Sequence, residues 1–380
     1  IMGQLIRFVS AHEVGHTLGL PHNMGSSAAY AVDSLRSPSF TKKMGTAPSI
    51  MDYARFNYVA QPEDGDVGLM PGVGPYDKWS IKFGYQLFED TNTAEEDKQI
   101  LNGMVLEKAG DPIYRFGRQR GLPLDPSAQT EDLGDDSMKA SDYGIRNLKR
   151  LMPKLIEWTA EEGKDFDDLE ELYGQVYGQF NRYMGHVTAN VGGVYEFYQT
   201  YDENKPIYTH VEKEKQKAAV MFLNQQLFKT PKWLIDPEII ARTDDKAAIE
   251  DIGRIQNRTL NTLMYTDRLN RMIENEAING SEAYKIESMF SDVQTGIFDG
   301  ENASPDVYVR NLQRAYVEKL ISMGKSKNPN IKNSDISAVS RAALMKIKRT
   351  LESKSDYNGT SLNSMHFQDL VSRIERMDEK

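Results

Sequence analysis

The chain has 380 residues and carries 46 Lys and Arg against 56 Asp and Glu, so its formal net charge is −10. Its hydrophobic content of 39% supplies a sizeable core and excludes wholesale disorder, and its length predicts two or three domains. The negative charge argues against a nucleic-acid partner, and the sequence has no apolar run long enough for a transmembrane segment. Cysteine is absent, which excludes disulfides, thiolate metal sites and cysteine nucleophiles.

The first predicted element is a helix over residues 2–19. Its apolar side chains surround most of the helical surface, so we expect this helix to be buried. Gly19 followed by Pro21 predicts its end, because Gly accepts a left-handed backbone and Pro cannot continue the hydrogen-bond ladder. Loops and short helices are predicted for residues 23–85.

A mixed region follows, with a predicted helix near residues 95–108 and a polar loop around residues 123–136. From about residue 139 onward, apolar residues recur in steps of three and four, which predicts helices. The clearest pattern, from Phe166 to Tyr198, predicts one long helix. Further helices are predicted over residues 212–228, 245–276, 281–296, 306–323, 335–354 and 361–377.

A metal-binding pattern lies in the first predicted helix. His12 and His16 are one turn apart on the same face, so two imidazole nitrogens can meet one metal ion. Glu13 lies about 60° around the helix from His16, which suits proton transfer beside the metal rather than ligation. His22 can complete the set if the chain turns back at Gly19. Three neutral nitrogens leave a fourth position open, as in a catalytic zinc site.

Two other groups of polar residues are predicted to be structural. His186, His210 and His366 are scattered along the chain, and we expect packing or surface roles for them. Residues 63–66 are rich in acid but lack the spacing of a calcium-binding loop, so a solvated turn is the favoured interpretation.

The string from His12 to His22 resembles the extended zinc signature of the metzincin metallopeptidases. Residues 49–53, Ser-Ile-Met-Asp-Tyr, resemble the Met-turn of that clan, in which a Met forms an apolar floor beneath the metal-binding imidazoles. A Tyr stands two places after this Met in astacin-like and serralysin-like members. Residues 75–85 resemble the helix that follows the Met-turn. The chain is most similar to the large bacterial Met-zincin-type peptidases, whose catalytic segment continues into a helical extension.

This resemblance implies a zinc-dependent endopeptidase that acts on proteins or peptides. Zinc would be held by the three histidines of the motif, with Glu13 as general base and Tyr53 near the zinc or the oxyanion of the transition state. Met51 would form the floor of the site. The resemblance also implies a secreted, periplasmic or cell-surface location.

The predicted fold class is mainly α, with the C-terminal part of a metzincin-like catalytic domain joined to a large helical extension. We divide the chain into a zinc-binding segment at residues 1–90, a mixed connecting region at residues 91–138 and the helical extension at residues 139–380. Metzincins place a twisted sheet and a helix before the active-site helix, whereas only eleven residues precede His12. We therefore expect the N-terminal part of the catalytic domain to be missing from this chain.

Two alternatives to the endopeptidase stay open. In the first, the chain is catalytically silent without that N-terminal part, and the helical extension is a binding or scaffold module. In the second, the zinc chemistry acts on a non-peptide amide, because the shape of the pocket and not the metal motif selects the substrate.

Overall fold

The computed structural model describes residues 1–54, 56–89, 91, 93–118, 120, 124–243 and 248–377. Over these ranges the chain is mainly helical, which confirms the predicted fold class. None of the helices in the described ranges combines the length and the apolar character needed to cross a membrane. The chain forms two compact units, the first comprising Ile1–Asn147 with Val194–His210 and the second comprising Leu148–Gly193 with Val211–Lys380. The division at residues 90 and 138 stays a prediction.

The first unit combines a few helices with long loops, as predicted for residues 23–85. It also contains a short antiparallel strand pair, β1 (Val194–Glu196) and β2 (Tyr208–His210). The fourth helix confirms the helix predicted near residues 95–108, and the fifth continues into the second unit. The helices are α1 (Met2–Thr17), α2 (Pro38–Met44), α3 (Pro75–Tyr85), α4 (Ala94–Lys108) and α5 (Ser137–Leu151).

Loop residues supply most of the larger apolar core of this unit. Side-chain amides satisfy the backbone of these buried loops, because a buried carbonyl without a partner is costly. Asn57 Nδ2 donates to the carbonyls of Leu35, at 2.8 Å, and Gly68, at 3.0 Å. Asn147 Nδ2 donates in the same way to Tyr58 and Ala60. The buried core residues are Tyr30, Val32, Leu35, Ala47, Ala54, Val59, Leu133 and Ala140.

Helix α1 is not buried, so that prediction is wrong. Its buried residues are only Phe8, His12 and Gly15, which lie on one narrow face. Apolar residues occur on most sides of the helix, whereas the described residues pack against this one face only. The predicted end is confirmed, since Gly19 adopts a φ of 82° just beyond the helix. The large apolar side chains left exposed at and after its start are Ile1, Met2, Leu5, Ile6, Val9, Val14 and Leu18.

The second unit is built from helices around α13, which packs against α10, α12, α15 and α16. The α8 helix continues into a π-helical turn at Asn224–Phe228. The helices are α6 (Leu155–Thr159), α7 (Asp167–Thr188), α8 (Lys213–Leu223), α9 (Pro237–Thr243), α10 (Ile249–Leu263), α11 (Thr266–Asn279), α12 (Ile286–Phe298), α13 (Val307–Gly324), α14 (Pro329–Lys332), α15 (Asp335–Glu352) and α16 (Leu362–Glu375).

Two predicted helices are shorter than their apolar patterns. The helix predicted from Phe166 to Tyr198 ends at Thr188, and a turn follows in which Gly192 has a φ of 60°. Val191 continues the apolar pattern because it is buried in this turn rather than on a helix. The helix predicted over residues 245–276 is two helices, α10 and α11, which meet where Tyr265 is extended. Residues 244–247 lie outside the described part of the chain.

Candidate metal centre

The structure brings the imidazoles of His12, His16 and His22 together. One nitrogen from each ring lies within 4.8 Å of the others, and the ring centroids are 4.6 to 5.3 Å apart. His12 and His16 are one turn apart on α1. The turn that returns His22 to them begins where the Leu20 N–H donates to the Gly15 carbonyl, at 3.1 Å, with Gly19 in the left-handed region. The predicted turn at Gly19 therefore places the third histidine.

Backbone carbonyls orient two of these rings. His12 Nδ1–H donates to the Ile50 carbonyl at 2.7 Å, and His16 Nδ1–H donates to the Leu20 carbonyl at 2.9 Å. Since a carbonyl only accepts, each Nδ1 carries the proton and each Nε2 keeps its lone pair. A hydrogen bond from the other ring nitrogen is how proteins orient histidine ligands of metals.

The freed nitrogens fit a zinc ion. His12 Nε2 is buried and has no hydrogen-bond partner, and the Nε2 atoms of His16 and His22 are 3.0 Å apart. Two nitrogen ligands of one tetrahedral zinc ion lie about 3.3 Å apart. Burial lowers the pKa of His12, although the Ile50 carbonyl and the charge of Glu13 oppose this effect. The cluster therefore offers three nitrogen donors close together, one pair of them near the spacing in a zinc site.

Met51 is fully buried and lies against α1 at Gly15, one residue before His16. A Cβ added to Gly15 would be 2.3 Å from Met51 Sδ, so only glycine permits this approach of helix and loop. Phe8 and Ile50 complete the small apolar cluster. The Met floor was predicted from the resemblance, whereas the sequence analysis did not select Gly15.

The two residues predicted to act in catalysis differ in their surroundings. The Tyr53 ring lies 4.6 Å from the ring of His22 and 5.3 Å from that of His12, measured between centroids. Glu13 is exposed, next to His12 on α1, and its charge acts on the His12 imidazole. The structure thus places an aromatic hydroxyl residue beside the imidazoles and a carboxylate at their solvent side.

Asp77, in the first turn of α3, holds the Met51 loop. Its carboxylate accepts hydrogen bonds from Ser49 Oγ at 2.6 Å and from the Ile50 N–H at 2.8 Å. It also accepts from the Gly74 N–H at 2.7 Å. Burial raises the pKa of Asp77, and these hydrogen bonds oppose the rise. The sequence analysis missed this residue, although an acid in the first turn of a helix that resembles a family element was a signal.

Asn23, directly after His22, fastens the same site from another direction. Its N–H donates to the Met51 carbonyl at 3.0 Å. Its buried side chain accepts from the Gly117 N–H at 2.7 Å and donates to the Arg115 carbonyl at 2.9 Å. No local pattern identifies such a residue, because the partners of its side chain are 92 and 94 residues away.

The remaining polar groups lie outside the cluster. In the acid-rich loop, the Asp64 carboxylate accepts from Arg36 Nε at 2.8 Å and from the Gln61 N–H at 2.9 Å. Arg36 lowers the pKa of Asp64, so this carboxylate is already neutralised by an ion pair, which agrees with the favoured interpretation of a turn. The other histidines lie elsewhere, His210 on β2, and His186 and His366 on helices of the second unit.

Three imidazoles from a helix and its following turn come together near a buried Met, an arrangement that resembles the metal centre of metzincins. The Met-zincin family model matches residues 1–304, and the chain belongs to this family. The match includes the whole histidine motif and continues into the helices of the second unit. It supports a zinc metallopeptidase. Comparison with curated proteins and with solved structures gives no match.

Proposed function

We propose that this protein is a zinc-dependent endopeptidase whose zinc is held by His12, His16 and His22. The observation that carries the proposal is the convergence of three imidazoles, two of which already commit Nδ1 to backbone carbonyls. Membership of the Met-zincin family supports the same chemistry. When bound, zinc supplies a Lewis acid that polarises a carbonyl and lowers the pKa of water to about 7.

In this proposal Glu13 is the general base. Its carboxylate is exposed beside the imidazoles, where an attacking water and a substrate both have access to it. A Glu13 carboxylate oxygen takes a proton from the water and later gives it to the nitrogen of the departing amine. The second acid–base step thus uses the proton gained in the first.

Tyr53 stabilises the oxyanion in this proposal. Its phenol donates a hydrogen bond to the oxygen of the scissile carbonyl as negative charge develops there. The proximity of its ring to those of His12 and His22 supports this role.

We propose a protein or peptide substrate, which membership of the Met-zincin family supports. We also propose a secreted, periplasmic or cell-surface location, on the resemblance to exported peptidases alone. A fluorogenic peptide library and an unfolded protein should both be cleaved by the zinc-loaded chain. Turnover of small amides without cleavage of either peptide probe would instead favour the non-peptide alternative.

The test of the mechanism is Glu13→Gln in the zinc-loaded protein. Peptide hydrolysis should fall by about 10²- to 10⁴-fold, the contribution of general base catalysis, while the zinc content stays unchanged. The matched control is Glu95→Gln, which neutralises an exposed carboxylate on α4 and should leave kcat/KM unchanged. Full activity of Glu13→Gln would refute the assignment. A zinc-loaded wild-type chain without any hydrolysis would favour the scaffold alternative.

A further inference from the structure

A second group of oxygen donors lies in the first unit, outside the three-histidine cluster. Asp52 is fully buried next to Met51, and Asp132 is buried in the loop before α5. Both carboxylates face Ser27. The Ser27 N–H donates to Asp52 Oδ2 at 2.6 Å, and Ser27 Oγ lies 3.5 Å from Asp132 Oδ1.

Two oxygens at this place lack a hydrogen-bond partner. Asp52 Oδ1 is buried without a hydrogen bond, and so is Ser26 Oγ, on a fully buried residue whose backbone N–H acts on the Asp52 carboxylate. In the described part of the chain, neither Asp52 nor Asp132 is paired with a Lys, Arg or His. The nearby carboxylate of Asp125 is different, because it forms an ion pair with Arg115.

Two buried carboxylates without a cation are costly, because each loses its hydration and the two repel each other. Burial and the charge of Asp52 raise the pKa of Asp132 well above its usual range, which reflects this cost. A divalent cation bound between the two carboxylates would neutralise both groups.

The donors indicate which cation fits. Carboxylate and hydroxyl oxygens are hard ligands and favour calcium or magnesium over zinc. Magnesium usually keeps several waters in a strict octahedron, whereas calcium accepts irregular sets of six to eight oxygens. The burial of Asp52 and Ser26 leaves little access for water, and this favours calcium.

We propose that Asp52 and Asp132, with the hydroxyls of Ser26 and Ser27, hold a calcium ion. The ligands come from the loop after His22, from the Met51 loop and from the loop before α5. Calcium would therefore join the loop after His22 and the Met51 loop to the loop before α5. This site is independent of the proposed peptidase activity, so it can be tested without a substrate.

The experiment is a calcium titration of the full chain, freed of divalent ions by chelation and then reloaded with one equivalent of zinc. Isothermal titration calorimetry should show one calcium per chain, and calcium in excess of its Kd should raise the Tm by several degrees. A parallel titration with magnesium should give much weaker binding. A wild-type chain that binds no calcium at millimolar concentration would overturn the proposal.

Asp132→Asn is the decisive variant. Loss of this carboxylate should lower the stability of the protein when calcium is bound, and it should not lower the stability when calcium is absent. With calcium present the variant should bind it at least about tenfold more weakly and lose the rise in Tm. Without calcium it should be as stable as the wild type or more so, because the repulsion with Asp52 is removed.

Asp66→Asn is the matched control. It neutralises an exposed carboxylate in the acid-rich loop and should bind calcium as the wild type does. If Asp132→Asn does not fold, Ser26→Ala should weaken calcium binding through the loss of one buried hydroxyl. Calcium affinity unchanged in Asp132→Asn, or unchanged in Ser26→Ala where that variant is used, would overturn the proposal.

Discussion

Gly15 shows how much the site depends on a residue without a side chain. The histidines were predicted from their spacing alone, since i and i+4 positions share a helix face. The need for glycine between them arises from Met51, which is 36 residues further along the chain and meets α1 only in the folded protein. Sequence spacing therefore predicts the candidate ligands, whereas the contact between α1 and Met51 could be found only in the structure.

Gly15→Ala should destabilise the protein. The new Cβ would overlap Met51 Sδ, and because Met51 is fully buried it cannot move without repacking, which costs about 1–3 kcal/mol of unfolding free energy. Urea unfolding measures this loss. In the Met51→Ala background the same substitution should cost much less, because the overlapping atoms are absent.

The control is Gly3→Ala, on the same helix but with nothing within 4 Å of its Cβ position. It should be neutral or stabilising by up to about 1 kcal/mol, since alanine is the better helix former. Equal effects of Gly3→Ala and Gly15→Ala would contradict the close contact between α1 and Met51.

At the scale of elements, α3 is more than a helix that follows the Met51 loop. Its Asp77 accepts from the Ser49 hydroxyl and the Ile50 N–H, and the Ile50 carbonyl in turn accepts the His12 Nδ1–H. A chain of hydrogen bonds therefore runs from α3 to a candidate zinc ligand.

Asp77→Asn should weaken zinc binding by about 10- to 100-fold, the usual cost of losing a group that orients a metal ligand. An amide presents one oxygen to three donors, so the unfolding free energy should also fall, by about 2 kcal/mol. Competition with a zinc chelator measures the affinity, and Asp66→Asn is the exposed control. Unchanged zinc affinity in Asp77→Asn would show that α3 does not act on the site.

Element boundaries were predicted less well than element types. The apolar spacing of α7 continues past its end, because Val191 and Val194 are buried in a turn and a strand instead. The backbone at Gly192 is left-handed and ends the helical run. Glycine permits this conformation but also adopts others, so its presence alone does not predict where the helix ends. An apolar repeat indicates which residues are buried, and here the buried residues continue beyond the end of α7.

The packing of α16 on α13 predicts a pH dependence of stability. His366 Nε2–H donates to Gln313 Oε1 at 2.8 Å, and its Nδ1 is buried without a partner. Burial and the neighbouring Arg310, Arg314 and Arg373 lower the pKa of His366 to about 4, against the opposing charge of Asp369.

Because the pKa of His366 is lower in the folded state, the unfolded state binds more protons between pH 6.5 and about 4. The neutral His366 therefore does not lower the unfolding free energy above pH 6.5. As the pH falls, the unfolding free energy decreases by up to about 3 kcal/mol. Urea unfolding of His366→Gln should show a correspondingly flatter pH profile than the wild type. Parallel profiles of the two proteins would contradict a neutral, buried His366.

For the whole molecule, the sequence predicted a mainly helical protein, which the structure confirms, and three histidines that could share a metal ion, which the structure brings together. The prediction that α1 is buried was wrong. An apolar pattern shows that burial of a surface would be favourable, but it does not show whether other residues cover that surface. Ile6 and Val14 are exposed by 60% and 55%, although the pattern alone predicted their burial.

The zinc content of the purified chain, after incubation with zinc and removal of the excess, tests whether the three histidines hold a zinc ion. Elemental analysis should find about one zinc per wild-type chain and much less in His16→Ala. His366→Gln, which alters a histidine outside the cluster, should retain the wild-type content. A wild-type chain without zinc, or a His16→Ala variant that keeps it, would contradict a zinc centre at His12, His16 and His22.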